Sequence, residues 1–75
     1  MFYFYVLQKT SKKEGIYFGY TNDLKRRTAE HLRDDNNWKL IYYEAYVSEK
    51  GARDRERKIK QYSGAWRSLK KRINA

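Results

Sequence analysis

The chain has no cysteine and no proline, only four glycines in 75 residues, and a single histidine. Without cysteine there are no disulfides and no thiolate zinc site, and the redox compartment leaves no trace. No apolar run approaches the ~20 residues that a membrane span requires. The opening "MFYFYVLQ" lacks a basic flank and a small-residue cleavage site, so a signal peptide is not expected, and the expected location is the cytoplasm. Seventy-five residues leave room for one small domain, expected over 1–75. A core of that size needs dense packing or a metal once disulfides are excluded.

Large rings supply the packing. Aromatics make up 17% of the chain, eight of them tyrosines. Eighteen Lys and Arg stand against nine Asp and Glu, a net charge of +9. That excess predicts attraction to a polyanion, most simply nucleic acid, with binding that weakens as salt rises.

"FYFYVLQ" (2–8) is apolar on both faces and rich in aromatic and β-branched residues, the pattern of a buried central strand. The polar "KTSKKEG" connects it to "IYFGY", giving a hairpin. Asn22 or Asp23 caps a helix running to about Leu32, because a short polar side chain satisfies the free amides of the first turn. After the loop "RDDNN" comes the third strand, "WKLIYYEAYV". Alternation places Leu40, Tyr42 and Tyr46 on one face and Ile41, Tyr43 and Ala45 on the other. Ser48 caps a helix from about Glu49 to Gln61. Ser63-Gly64 breaks it, and Trp66, Leu69 and Ile73 form the apolar stripe of a last helix. The order ββαβαα reads as an α+β fold, a three-stranded antiparallel sheet with helices packed on it.

Charged residues at positions that periodicity assigns to the interior are the informative ones. On the helix after Ser48 the inward stripe reads Ala52, Arg55 or Glu56, Ile59, then Tyr62 or Ser63. Glu56 is thus the acid most clearly placed against the sheet. An inward carboxylate must be paired, hydrogen-bonded or metal-bound, so an internal ion pair with an arginine and a metal site both stand. Leu24, Arg27 and His31 lie along one edge of the first helix, Arg27 and His31 four apart on the same face. Arg27 also fits a surface residue whose stem covers the sheet, and His31 a helix-end cation. Tyr5 and Tyr17 sit on adjacent strands and share a face if the register has the right parity. Gly19 marks a bulge or a close approach. A carboxylate, an arginine, a histidine and two tyrosines can supply what phosphodiester hydrolysis calls for: a metal to bind phosphate oxygen and leaving group, a cation for developing charge, and a base for water.

These motifs resemble the GIY-YIG nuclease domain, in particular its short stand-alone members. "YFY" (Tyr3-Phe4-Tyr5) occupies the place of the family's first triplet, and "YFG" (Tyr17-Phe18-Gly19) that of the second. Arg27 and His31 follow at family spacing inside "YTNDLKRRTAEH". The block "LIYYEAYVSEKGARDRERKIKQY" is similar to the family's third strand and glutamate-bearing helix, and the glutamate falls on Glu56. The resemblance spans about residues 2–73.

It implies a one-metal endonuclease in which Glu56 holds Mg²⁺ or Mn²⁺. Tyr5 would be the general base or water-positioning group, with Tyr17 beside it. Arg27 would stabilise phosphate charge, and His31 would orient a tyrosine or the phosphate. Lys25, Arg26 and Arg55 are the expected nucleic-acid contacts. A tyrosine starts near a pKa of about 10, so a base role needs nearby positive charge. The chain departs from the family at Tyr3, Phe4 and Phe18, where glycine and isoleucines are usual. Asn74 is the candidate for the family's distal asparagine. The expected substrate is DNA, with RNA open, cut in a structure-directed or weakly sequence-specific way. Double-strand cutting would need a dimer or two sequential nicks, and a partner protein or a homodimer is open. The competing readings are a catalytically weak or partner-dependent binding module, and a basic domain that stacks single strands on exposed tyrosines.

Overall fold

The computed structural model describes residues 1–11 and 15–74, so the centre of the connection "KTSKKEG" lies outside the described residues. Three strands and three helices follow in order: β1 (Phe2–Lys9), β2 (Ile16–Thr21), α1 (Leu24–Asp34), β3 (Trp38–Tyr46), α2 (Glu49–Gln61) and α3 (Ser63–Ile73). The sheet has the order β2-β1-β3, and β1 pairs antiparallel with both neighbours. This is the α+β architecture expected from the sequence. No helix among the described residues is long and apolar enough to cross a membrane.

The central strand explains its own composition. Phe4, Tyr5, Val6 and Leu7 are all buried because both faces of β1 are covered. Phe4 and Val6 join Ile59 of α2 and Leu69 of α3 in the main core, with Phe18 and Trp66 packed against them. Tyr5 and Leu7 point to the opposite face, where α1 lies. That helix has no fully buried residue, and His31 meets the sheet at Tyr5 and Tyr17.

Three local expectations are corrected. A bulge between Val6 and Leu7 sets Val6 against Tyr42 and Leu7 against Leu40, skipping Ile41. Simple alternation therefore fails along β3: Ile41 joins Tyr42 against the core, and Leu40 sits with Tyr43 on the α1 side. Ser63-Gly64 does not break the helix but opens α3, and the interruption falls at Tyr62. The inward stripe of α2 consequently ends at Ile59, since Tyr62 is 61% exposed.

Caps follow the sequence closely. Asp23 caps α1, its Oδ1 accepting from the Arg26 amide at 3.1 Å. Ser48 caps α2, its Oγ accepting from the Gly51 amide at 3.2 Å. Asn74 ends α3 in the left-handed conformation at φ 57°, a geometry short polar side chains tolerate.

Candidate active site

The register answers the parity question. Tyr5 pairs with Gly19, and Leu7 with Tyr17. Residues 5, 7, 17 and 19 therefore share one face. Tyr5 and Tyr17 approach with ring centroids 6.3 Å apart. Gly19 is not a bulge. A Cβ there would lie 2.5 Å from the Tyr5 hydroxyl and 2.6 Å from Cζ, so the tyrosine ring runs directly over the glycine toward the β2 edge.

α1 delivers two side chains to the same place. His31 Nε2 lies 3.0 Å from the Tyr5 hydroxyl, and the imidazole packs on Tyr17 at 4.7 Å. The Arg27 guanidinium interacts with the Tyr5 and Tyr17 hydroxyls, and its Nη1 donates to Glu30 at 3.3 Å. The Tyr5 hydroxyl and Glu30 hold the guanidinium above its ordinary pKa, so it stays charged. The four-residue spacing seen in the sequence thus aims both groups at one phenol.

Burial pushes the Tyr5 phenol up to about 12; Arg27 opposes that rise, while Tyr17 and Glu56 add to it. Burial and the neighbouring Arg27 charge hold His31 below its ordinary value of 6.5. At neutral pH the pair is a phenol beside an uncharged imidazole, and in the tautomer with the ring proton on Nδ1 the free Nε2 accepts the phenol hydrogen.

Glu56 comes from α2. Its side chain is only 19% exposed, and Lys60 Nζ sits 3.3 Å from Oε1. Its charge is felt at Tyr5. Arg55, the neighbouring residue, is not brought to this group. Its Nε and Nη2 donate to the two oxygens of Glu44 at 3.0 and 3.2 Å, and the guanidinium lies over the Phe4 ring. Lys25 and Arg26 are exposed on α1, Arg26 beside its own cap at 4.0 Å from Asp23.

The internal ion pair weighed for Glu56 therefore exists on its neighbour. Glu44 accepts from Tyr42 at 2.6 Å, Tyr46 at 2.5 Å and Arg55. It was not singled out in the sequence, although it alternates with Tyr42 and Tyr46 on one face of β3. Tyr17 has a further unanticipated neighbour, Trp38, whose ring stands edge-on at 6.3 Å.

Among the described residues no three His, Cys, Asp or Glu side chains cluster. An all-protein cage is therefore not the kind of site these residues suit. One largely buried carboxylate does fit a hydrated Mg²⁺ or Mn²⁺, which keeps several waters and takes further oxygens from a phosphate substrate.

Comparison with known proteins follows the same lines. The family model for the GIY-YIG catalytic domain matches residues 1–74. A UPF0213 protein of Haloquadratum walsbyi is 32% identical over 69 residues, covering 81% of this chain and 78% of that protein. No solved structure matches the chain.

Proposed function

Because the chain belongs to the GIY-YIG catalytic domain family, a nuclease-type domain that handles nucleic acid, we propose that it is a metal-dependent endonuclease acting on DNA with structure-directed or weak sequence preference. The observation that carries this reading is the convergence of Tyr17, Arg27 and His31 on the Tyr5 phenol, with the Glu56 charge felt there.

Glu56 is the residue that would hold Mg²⁺ or Mn²⁺. When bound, the cation neutralises charge on the phosphate and on the departing oxygen. Arg27 sets a permanent positive charge beside Tyr5 and Tyr17, where a non-bridging phosphate oxygen gains charge. The attacking water gives its proton to Tyr5 Oη as the phenol passes its own proton to His31 Nε2. The new P–O bond forms, the bond to the leaving oxygen breaks, and solvent protonates that oxygen. Tyr5 acts through His31 because a phenol raised to about 12 is a poor base by itself.

The test is a nicking assay on plasmid and branched DNA with Mg²⁺ or Mn²⁺, comparing wild type with Glu56→Ala. Wild type is expected to cleave, and the variant to lose at least about 10²-fold, the scale at which one charge-stabilising group acts. Unchanged cleavage by Glu56→Ala rejects the site. Binding without cleavage across several metals and substrates instead favours a binding module.

The relay also predicts a pH profile. An imidazolium cannot accept the Tyr5 proton, so cleavage declines as pH falls through the depressed His31 value, below 6.5. His31→Asn should remove that acidic limb along with most of the rate. A limb unchanged in the variant would assign it to another group.

A further inference from the structure

Positive charge is unevenly distributed along this chain. Glu56 is the last acidic residue, and the nineteen positions after it contain seven Lys and Arg. On α2 most cations are already tied down. Lys50 and Arg57 pair with Asp54, Arg53 with Glu49, and Lys60 with Glu56. α3 has no acidic residue at all. Arg72 donates to the Tyr42 hydroxyl at 3.4 Å. Arg67, Lys70 and Lys71 are exposed and form no ion pair among the described residues.

Those three residues stand on one side of the helix. Trp66, Leu69 and Ile73 face the core, whereas Arg67 and Lys71 turn away from that stripe and Lys70 lies on its flank, the three at i, i+3 and i+4 spacing. Arg67 and Lys71 are separated by about 6 Å along the helix, close to two axial steps of about 3.4 Å between phosphates of one strand. The position of the helix matters as well. Trp66 packs on Phe18 at 5.1 Å, behind the strand whose other face presents Tyr17. A backbone lying along the β2 edge can therefore meet the candidate active site on one side and the start of α3 on the other.

We propose that the outer face of α3, through Arg67, Lys70 and Lys71, is a phosphate-backbone surface that anchors an arm of the nucleic-acid substrate away from the cleavage point. The proposal rests on the nuclease reading for its substrate, but the surface binds by charge and needs no cleavage. An exposed cation without a carboxylate partner gives up little on meeting a phosphate, whereas a paired one must first release its partner. The arm would be held without regard to sequence, because backbone contacts carry no base information.

The experiment measures affinity for a 30-bp duplex by fluorescence anisotropy from 50 to 300 mM KCl, in EDTA so that binding is read without cleavage. Arg67→Gln/Lys70→Gln/Lys71→Gln is compared with Lys50→Gln/Arg53→Gln/Arg57→Gln, which removes the same charge from paired positions. If three phosphate contacts are lost, the slope of log K against log salt should flatten by about 2–3 in the α3 variant. It should change much less in the α2 control. Equal flattening in both would reduce the effect to net charge and overturn the proposal, as would an unchanged slope in the α3 variant. Loss of binding to phosphatidylserine vesicles with duplex binding intact would overturn it in favour of a membrane surface. A wild type that cleaves while the α3 slope stays unchanged rejects this surface alone. A flattened slope without cleavage rejects the nuclease reading and leaves the surface standing.

Discussion

Gly19→Ala is expected to reduce cleavage by on the order of 10²-fold while leaving the chain folded, the scale of a misplacement of about 1 Å at a catalytic group. The glycine is not there for its backbone, since it does not occupy the left-handed region. It is there because the Tyr5 ring crosses it, with Cζ and Cε1 only 2.6 and 3.0 Å from where a methyl would stand. Tyr5 is 1% exposed. The ring has no open space to swing into, with Tyr17 and His31 on its flanks. The added methyl must push the phenol off His31 or lift β2 from β1. Overpacking of this kind costs about 1–3 kcal/mol, which a domain of this size registers as a fall in Tm of roughly 5–20 °C. Thermal melts and the nicking assay together provide the check. Wild-type cleavage and an unchanged Tm in Gly19→Ala would show that Tyr5 is freer than its packing indicates.

The second large effect is on stability, at Glu44. Replacing it with alanine leaves the Arg55 guanidinium without its carboxylate and the Tyr42 and Tyr46 hydroxyls without their acceptor. Breaking a fully buried pair costs about 3–5 kcal/mol. Here the two side chains retain 26% and 19% exposure, so solvent screening reduces the expected loss to about 2–3 kcal/mol. Tm should fall by roughly 10–20 °C. Glu56→Ala, one residue from Arg55, should show the opposite pattern, with cleavage lost and Tm nearly kept.

A pH series separates Glu44 from a generic loss. Burial alone would raise its carboxyl, but hydrogen bonds from Tyr42, Tyr46 and Arg55 outweigh it and hold the group below its ordinary value of 4.5. The stabilisation is therefore complete above 4.5 and is lost as pH falls through the lower folded value. Asp35 and Asp54 are depressed too and add their own acid dependence. The difference between wild type and Glu44→Ala should accordingly shrink on acidification, as followed by urea unfolding between pH 7 and 3. A difference that stays constant across that range would mean the carboxylate charge is not what stabilises the fold.

Much of this molecule is written in short-range chemistry. The period-2 and period-3.6 patterns, the Asp23 and Ser48 caps and the both-faces-apolar run of β1 are local rules, and each element formed close to its expected position. The four-residue spacing of Arg27 and His31 is likewise local, because helix geometry puts such residues on one face whatever surrounds them. Glu56 could be placed inward by the same logic, yet Arg55 shares its stripe. Nothing local says which of the two turns to Glu44 and which pairs with Lys60.

Register and destination depend on contacts between distant parts of the chain. The parity that brings Tyr5 and Tyr17 to one face depends on a pairing across the hairpin, and a slip of one residue would separate them. The skipped Ile41 could not be foreseen, because a bulge is set by two strands fitting each other and not by either alone. Gly19 announced a close approach, but only packing identified the approaching group as the Tyr5 ring. The elements, the charge and the inventory of reactive groups are legible in the sequence, since these follow from each residue's own chemistry and its near neighbours. Which carboxylate meets an arginine and which pairs with a lysine was decided by contact in the folded chain, because desolvated charges take the partners that the finished core leaves within reach.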